Sequence, residues 1–384
     1  MNLKHIYWRL ESKYYKVCGQ LLRWVPVKRN KIVLNNFHGF GYGDSPKYIA
    51  DEIIRQKLPY DLVWLVSDMS SEFPPEVRPV KLQSARASYE LSSAKVIISN
   101  VKVALPYRKK KSQFYIQTWH GSVAFKAIEK DAQDKLRHQY VKESMADSKL
   151  INLFLSCNSI QTQEIKSCFW YDGEVFESGS PRNDMLYKPK EYQQAVRKKI
   201  GLAEGKRLVL YAPTFRDSHR TDVYDLDLIR LKECLDSSWG DEWQVLVRLH
   251  PNVQNRHLFA GNEFVTDVTL YPDMQELLLI ADALVTDYST IIYDMAIMHK
   301  PILLYTPDLD DYKGDRGLKP VYFNLPTCIC QSNEELLDYV SHFDHDEYSN
   351  RLNGFLGDIQ IFDDGFASQR VVDRINMETK IVKR

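Results

Sequence analysis

Short unbroken apolar runs, each closed by small or polar residues and followed by helical periodicity, recur along the chain. Lys31–Asn36 (KIVLNN), Asp61–Ser67 (DLVWLVS), Lys95–Ser99 (KVIIS), Gln113–Gln117 (QFYIQ), Asn152–Ser156 (NLFLS) and Val175–Ser178 predict strands, with a helix over Pro46–Gln56. Runs this short and continuously apolar are strands buried on both faces, and their alternation with helices makes the sheet parallel. The pattern restarts near Lys206, with strands at Arg207–Tyr211 (RLVLY), Gln244–Arg248 (QVLVR), Ala283–Thr286 (ALVT) and Pro301–Tyr305 (PILLY). The polar stretch Tyr187–Gly205, rich in Lys and Gln, marks the boundary. The expected architecture is α/β, with two Rossmann-like domains at 31–190 and 191–384 facing one another across a cleft.

A different pattern precedes the first strand. Over residues 4–25, Tyr7, Leu10, Tyr14, Val17, Leu21 and Trp24 recur at steps of three and four, which is one face of a helix. Lys and Arg fill much of the rest. Met1 to Lys31 holds eight basic residues against Glu11 alone, a net of +7, so the remainder of this neutral chain carries −7. A basic amphipathic helix with Trp8 and Trp24 fits a contact with a membrane surface. A terminal helix packed on its own domain with a solvated basic face fits equally. No apolar run reaches the roughly 20 residues needed to cross a bilayer.

Composition removes several function classes. Lys+Arg and Asp+Glu balance at 51 each, without the basic field of a nucleic-acid binder. The 6 cysteines include Cys328 and Cys330 but no ligand spacing for zinc, and with no signal peptide they read as reduced thiols of a cytoplasmic protein.

Ligands of such folds sit at the carboxyl ends of strands, so the residues just after each strand are the ones to read. His120 follows the strand at Gln113 and precedes Gly121, a placement suited to a general base or to a histidine bonded within its own loop. Arg248 and His250 lie on the same side of an extended segment, and both can donate to phosphate oxygens. Ser178-Gly179-Ser180-Pro181-Arg182-Asn183 and Tyr211-Ala212-Pro213-Thr214-Phe215-Arg216 each combine small residues, hydroxyl or amide donors and one Arg, the natural bidentate phosphate ligand. Each could also be a plain strand-to-helix turn. In Thr286-Asp287-Tyr288-Ser289-Thr290, Ser289 and Thr290 stand where a helix N-cap belongs, which is also an anion site. Asp294, one turn on, could reach a ribose or polyol hydroxyl. The glycine-rich loop Phe37–Ser45 matches neither a dinucleotide fingerprint nor a P-loop, and reads as a mobile acceptor-side loop.

Taken in order, QTWHG, GSPRNDML, YAPTFRD, RLHP and VTDYSTIIYDMAIMHKPILLY, with TPDLDDY after them, resemble the CDP-glycerol glycerophosphotransferase family over about Val33 to Asn324. The resemblance implies a GT-B type fold, an N-terminal acceptor domain, and CDP-glycerol held mainly by the C-terminal domain. It implies transfer of glycerol phosphate to a lipid-linked saccharide or polyol-phosphate acceptor at the inner face of the cell membrane, with release of CMP, in teichoic acid or capsule synthesis. The family's two essential histidines map onto His120 and His250. On this resemblance His120 would be the base for the acceptor hydroxyl and His250, with Arg216, Ser289 and Thr290, would stabilise charge on the pyrophosphate, though the two roles could be exchanged. Arg182, Asn183, Thr214, Arg216, Arg248, Asp287, Ser289, Thr290 and Asp294 become expected donor contacts. No acidic pair built for a metal is visible, and metal dependence stays open. The family often has Thr-Pro after the first His-Gly, with a following Lys, where this chain has Ser122-Val123 and nearby Lys126. Without the large extra N-terminal region of many polymerases, a primase or capsule-type transferase fits as well as a processive enzyme. A CDP-ribitol phosphotransferase, a nucleotide-sugar glycosyltransferase of the same fold and a non-catalytic assembly scaffold are the competing readings.

Overall fold

The computed structural model describes residues 14–15, 17–103, 105, 109–216, 222–250 and 262–381. The chain forms two compact units. Met1–His120, Glu129–Asp184 and Phe362–Arg384 make the first, and Gly121–Ile128 with Met185–Ile361 the second.

The first unit is built on β1 (Lys28–Asn35), β2 (Asp61–Val66), β3 (Val77–Lys81), β4 (Ala94–Ser99), β5 (Phe114–Gln117), β6 (Leu153–Leu155) and β7 (Glu174–Phe176). They form one parallel sheet in the order β3-β2-β1-β4-β5-β6-β7. Side chains alternate across a strand, so Ile32, Leu34, Trp64 and Ile98 enter one core. Val33, Val63, Leu65 and Ile97 enter the core on the opposite face. Helices Asp44–Arg55 and Ala367–Thr379 cover the first face with Ile49, Ile53, Val371 and Ile375, while Ala85–Ser93 covers the second with Ala87 and Leu91.

In the second unit, β8 (Arg207–Tyr211), β9 (Trp243–Val247), β10 (Val265–Asp267), β11 (Ala283–Thr286), β12 (Ile302–Tyr305) and β13 (Ile329–Cys330) form a parallel sheet in the order β10-β9-β8-β11-β12-β13. Both sheets therefore start a doubly wound pattern from a central strand and reverse direction beside it, at β1/β4 and at β8/β11.

The structure departs from the sequence expectations at the sheet edges and at the C-terminus. β3, β10 and β13 were not anticipated, and all three are edge strands. An edge strand needs less apolar sequence, and β3 carries Pro79, which a central strand excludes. Phe362–Arg384 was expected with the second domain but belongs to the first unit. There the Tyr60 hydroxyl bonds Asn376 and Thr379 at 2.8 and 2.7 Å. Helical periodicity says which face of a helix is apolar, not which sheet it will cover.

At the other end, residues 17–22 are helical, while Tyr7, Trp8 and Leu10 lie outside the described residues, as do Asp217 and Pro251. Tyr15 is the residue that docks, joining the second core. The rest of the described stripe faces outward: Tyr14, Val17, Leu21 and Trp24 are 58%, 58%, 75% and 79% exposed. No helix among the described residues is long and apolar enough to cross a membrane.

Candidate active site

At the switch point of the first sheet two asparagines follow the strands that frame it, Asn36 after β1 and Asn100 after β4. Asn100 Nδ2 donates to Asn36 Oδ1 at 2.8 Å, and its Oδ1 accepts the Phe37 N–H at 2.9 Å. The Asn100 main-chain carbonyl lies 2.8 Å from His120 Nδ1. A carbonyl only accepts, so Nδ1 carries the proton and Nε2 keeps its lone pair. Burial depresses the pKa of His120 below its ordinary 6.5, helped by Arg182 and His38 and opposed by the Asn100 carbonyl and Asp44. The imidazole is therefore neutral at pH 7, as a general base must be. Phe37 meets the ring edge-on at 5.3 Å, and Trp119 lies over it at 4.2 Å.

A hydrogen-bond chain behind this histidine sets its backbone. Trp119 stands at φ 55°, in the left-handed region that a bulky residue rarely occupies. Its N–H donates to Gln117 Oε1 at 3.0 Å, Gln117 Nε2 donates to the Tyr115 hydroxyl at 2.9 Å, and that hydroxyl lies 3.2 Å from Asp147 Oδ2. Asp147 Oδ1 also accepts the Val103 N–H at 2.9 Å. Burial pushes the Asp147 carboxyl up to about 7, with Glu129 adding to it and the Val103 N–H, Tyr115 and Lys102 pulling it back.

The Ser178–Asp184 segment lies in this same unit. Arg182, 6% exposed, pairs with Asp44 at 3.3 Å, and Asn183 is buried with no hydrogen-bond partner for Oδ1. Asp184 accepts the Ala367 and Ser368 N–H groups at 2.9 and 2.7 Å, so the motif also caps the helix Ala367–Thr379. Arg182 and Asn183, expected as donor contacts, are grouped with His120 in the first unit. The Phe37–Ser45 loop is tied down at several points: Asn36 Nδ2 reaches the Phe40 carbonyl at 2.8 Å and Trp64 Nε1 the Gly41 carbonyl at 3.1 Å.

In the second unit the β8/β11 switch point is organised around Asp287. This carboxylate, 2% exposed, accepts the Thr214 N–H at 2.9 Å, the Thr214 hydroxyl at 2.5 Å and the Tyr288 N–H at 2.6 Å. Arg216 Nη2 reaches it at 2.9 Å, while Arg216 Nε and Nη2 hold Asp308 at 2.7 and 3.0 Å and Nη1 holds the Thr214 carbonyl at 2.6 Å. Tyr288 and Tyr312, stacked at 3.6 Å, place their ring centroids 5.0 and 5.1 Å from the same guanidinium. Arg216 and Asp287, expected as ligand contacts, therefore spend these groups on each other and on Asp308. They shape the loop, and two carboxylates more than neutralise the one cation.

Arg248 offers more to an anion. Its Nη1 is buried without a hydrogen-bond partner, and burial pulls its pKa down, opposed by Asp273 and Tyr271. His250 stands at the exposed end of this segment, its ring 4.8 Å from that of Phe215. As expected, the helix Ile291–Ile297 starts at this pair: Ser289 Oγ accepts the Ile291 N–H at 3.4 Å, and Thr290, at the N-cap position (φ −70°, ψ −3°), makes no side-chain cap. Its hydroxyl instead packs against Gly121, where an added Cβ would lie 2.8 Å from Oγ1. Asp294, 1% exposed, accepts from Gln275 Nε2 at 3.0 Å and is turned into helix packing rather than toward a polyol. Among the described residues no group of three His, Cys, Asp or Glu is placed to hold a metal ion.

Comparison with known proteins decides the family. Residues 18–377 match the family model of CDP-Glycerol:Poly(glycerophosphate) glycerophosphotransferase. The chain belongs to this family. A teichoic acid poly(glycerol phosphate) polymerase of Staphylococcus epidermidis is 32% identical over 99% of this chain, which spans only 55% of that relative. Its Bacillus spizizenii counterpart is 24% identical over 96% of this chain and 98% of its own length. Among solved structures, a histidine-to-asparagine variant of the wall teichoic acid polymerase TagF soaked with CDPG is similar, with TM-score 0.87 and 30% identity over 98% of this chain and 96% of that one. The α/β fold with parallel sheets is common to the chain and this glycerophosphotransferase.

Asn36, Asn100, Asp147 and Asp308 were missed from sequence. Asn100 directly follows the strand KVIIS, and reading the residue after every strand would have found it. Asp308 lies inside the TPDLDDY segment, without a sign that it pairs with Arg216. Asp147 sits in a polar helix and carried no signal.

Proposed function

We propose that this glycerophosphotransferase-family chain transfers glycerol phosphate from CDP-glycerol to a hydroxyl of a membrane-linked acceptor, releasing CMP, in teichoic acid or capsular polymer synthesis. The observation that carries the reading is His120, neutral and locked by the Asn100 carbonyl with Nε2 free of that bond, in a chain that matches the family over residues 18–377. The acceptor hydroxyl gives its proton to His120 Nε2 as its oxygen bonds to the β-phosphorus. The bond from that phosphorus to the bridging oxygen breaks, and CMP leaves with the electron pair. Arg248 supplies positive charge to the pyrophosphate and His250, whose pKa burial lowers, a neutral ring N–H donor, and the Thr214, Ser289 and Thr290 hydroxyls are further donor contacts. Arg216 acts as a positioning residue, through its bonds to Asp287 and Asp308. In this reading the two units are the acceptor and donor domains of a GT-B type enzyme. The outward stripe of Tyr14, Val17, Leu21 and Trp24, in a basic N-terminal segment, supports peripheral attachment to the inner face of the membrane.

The test is CMP release from CDP-glycerol by purified protein, given a lipid-linked disaccharide or a glycerol-phosphate-primed lipid. Release that needs the acceptor and vanishes in His120→Ala is the expected result. A His120→Ala variant turning over at the parent rate would remove the base from the mechanism. CMP release from CDP-ribitol alone would change the donor.

A further inference from the structure

We propose that the first unit holds a binding pocket beside Asn35 that takes the phosphate-bearing polyol end of the acceptor. This rests on the phosphotransfer reading above and gives its acceptor a site. Asn35 is the last residue of β1, and the two-residue alternation that sends Ile32 and Leu34 into one core sends Val33 and Asn35 to the other face. The side chain is only 6% exposed, yet its Oδ1 is buried with no hydrogen-bond partner. A buried amide oxygen without a partner lowers stability, so an Asn in this place calls for a ligand.

A cavity of about 390 Å³ opens over it, within the roughly 300–1,000 Å³ of small-molecule sites. Asn35, Ser67 and Lys81 put it at the carboxyl ends of β1, β2 and β3, the end of an open α/β sheet that binds ligands.

The lining selects a chemical class. An amide both donates and accepts, so Asn35 matches a hydroxyl, which does the same. Gln83 lines the cavity with a second amide, and Lys81, the exposed last residue of β3, contributes an ammonium suited to a phosphate. Leu65 and Leu91 form an apolar wall against which a glycerol backbone can lie. Two neighbours tie the pocket to the reaction. Phe37 packs on the His120 ring at 5.3 Å, and the next residue, His38, lines the cavity. Tyr15 lines it too, next to outward-facing Tyr14, so one helix borders both the pocket and the apolar surface assigned to the membrane. A lipid-carried chain end is the occupant that uses both.

The experiment titrates the full chain with sn-glycerol 3-phosphate, with inorganic phosphate and glycerol as separate arms and saturating CMP present to fill the donor half. Asn35→Leu and Lys81→Ala should each weaken glycerol phosphate binding tenfold or more. Asn35→Leu should melt at or above the parent temperature, since it removes an unpaired buried oxygen, and CDP-glycerol binding should be unchanged in both. Glycerol phosphate binding within twofold of the parent in Asn35→Leu overturns the pocket. Inorganic phosphate binding as tightly as glycerol phosphate overturns its polyol specificity. A parent chain that binds glycerol phosphate through Asn35 but does not bind CDP-glycerol would sink the donor reading and leave the pocket standing.

Discussion

Asp147→Asn should make the protein more stable at alkaline pH while leaving it unchanged near pH 4. The carboxyl is 6% exposed and pushed up to about 7 by burial, against an ordinary 3.8. Its folded-state pKa is the higher one, so the folded form holds the proton more tightly. The stabilisation is complete below about 3.8 and is lost as pH rises through about 7. Over that span the loss is about 4 kcal/mol, at about 1.4 kcal/mol per tenfold change. Asparagine copies the protonated acid: its carbonyl oxygen accepts the Val103 N–H, and its amide faces the Tyr115 hydroxyl, whose own proton, now donated to Asp147, turns to the Val101 carbonyl at 3.4 Å. Lys102 and Glu129 act on the carboxylate in opposite directions and are left in place. Urea melts of the first unit's transition at pH 5, 6, 7 and 8 give the difference directly. Parent and variant should diverge steadily across the series and then run parallel above pH 8. Curves that stay parallel from pH 5 upward would show that Asp147 is charged throughout and refute the reasoning.

For His120, protonation removes the base, and burial depresses its pKa, so the acid limb of kcat/KM should lie below pH 6.5; a limb at or above that value contradicts the assignment. Gly121→Ala sets a Cβ 2.8 Å from Thr290 Oγ1 and should cost about 1–3 kcal/mol, as overpacking does. Adding Thr290→Ala should restore most of the melting temperature, and strictly additive losses would deny the contact. Asp308→Ala leaves the buried Arg216 charge half-paired and should lose about 3–5 kcal/mol; an unchanged melt would mean that the pair is not held in solution. Leu21→Glu with Trp24→Glu should reduce sedimentation with anionic vesicles, and equal recovery would reject the membrane contact.

The sheet interiors were legible because β1, β2, β4, β8 and β11 are buried on both faces and so are apolar without interruption. β3, β10 and β13 were not, since an edge strand answers to one neighbour and tolerates Pro79 or Thr266. At the site, position after a strand was enough to single out His120 and Arg248. What could not be read was who pairs with whom. Arg216 carries the chemistry of a phosphate clamp, and only the fold reveals Asp308, 92 residues away in the chain, holding it. Asp294 looked like a ligand one turn into a helix, until Gln275 from another helix took it. Side-chain chemistry is local, whereas its availability depends on long-range partners.

The return of Phe362–Arg384 to the first sheet bears on how the chain is made. As the polypeptide leaves the ribosome, the apolar face formed by Ile49, Ile53 and their strands has to wait for Val371, Val372 and Ile375, which come some 300 residues later. Met185–Ile361, begun second, has all its segments in hand sooner, because its one outlying piece, Gly121–Ile128, is already synthesised. The order of completion is therefore the reverse of the order of synthesis. A chain released after ending near residue 361 would present a finished second unit and an open first one, which is the state a chaperone or a protease would meet.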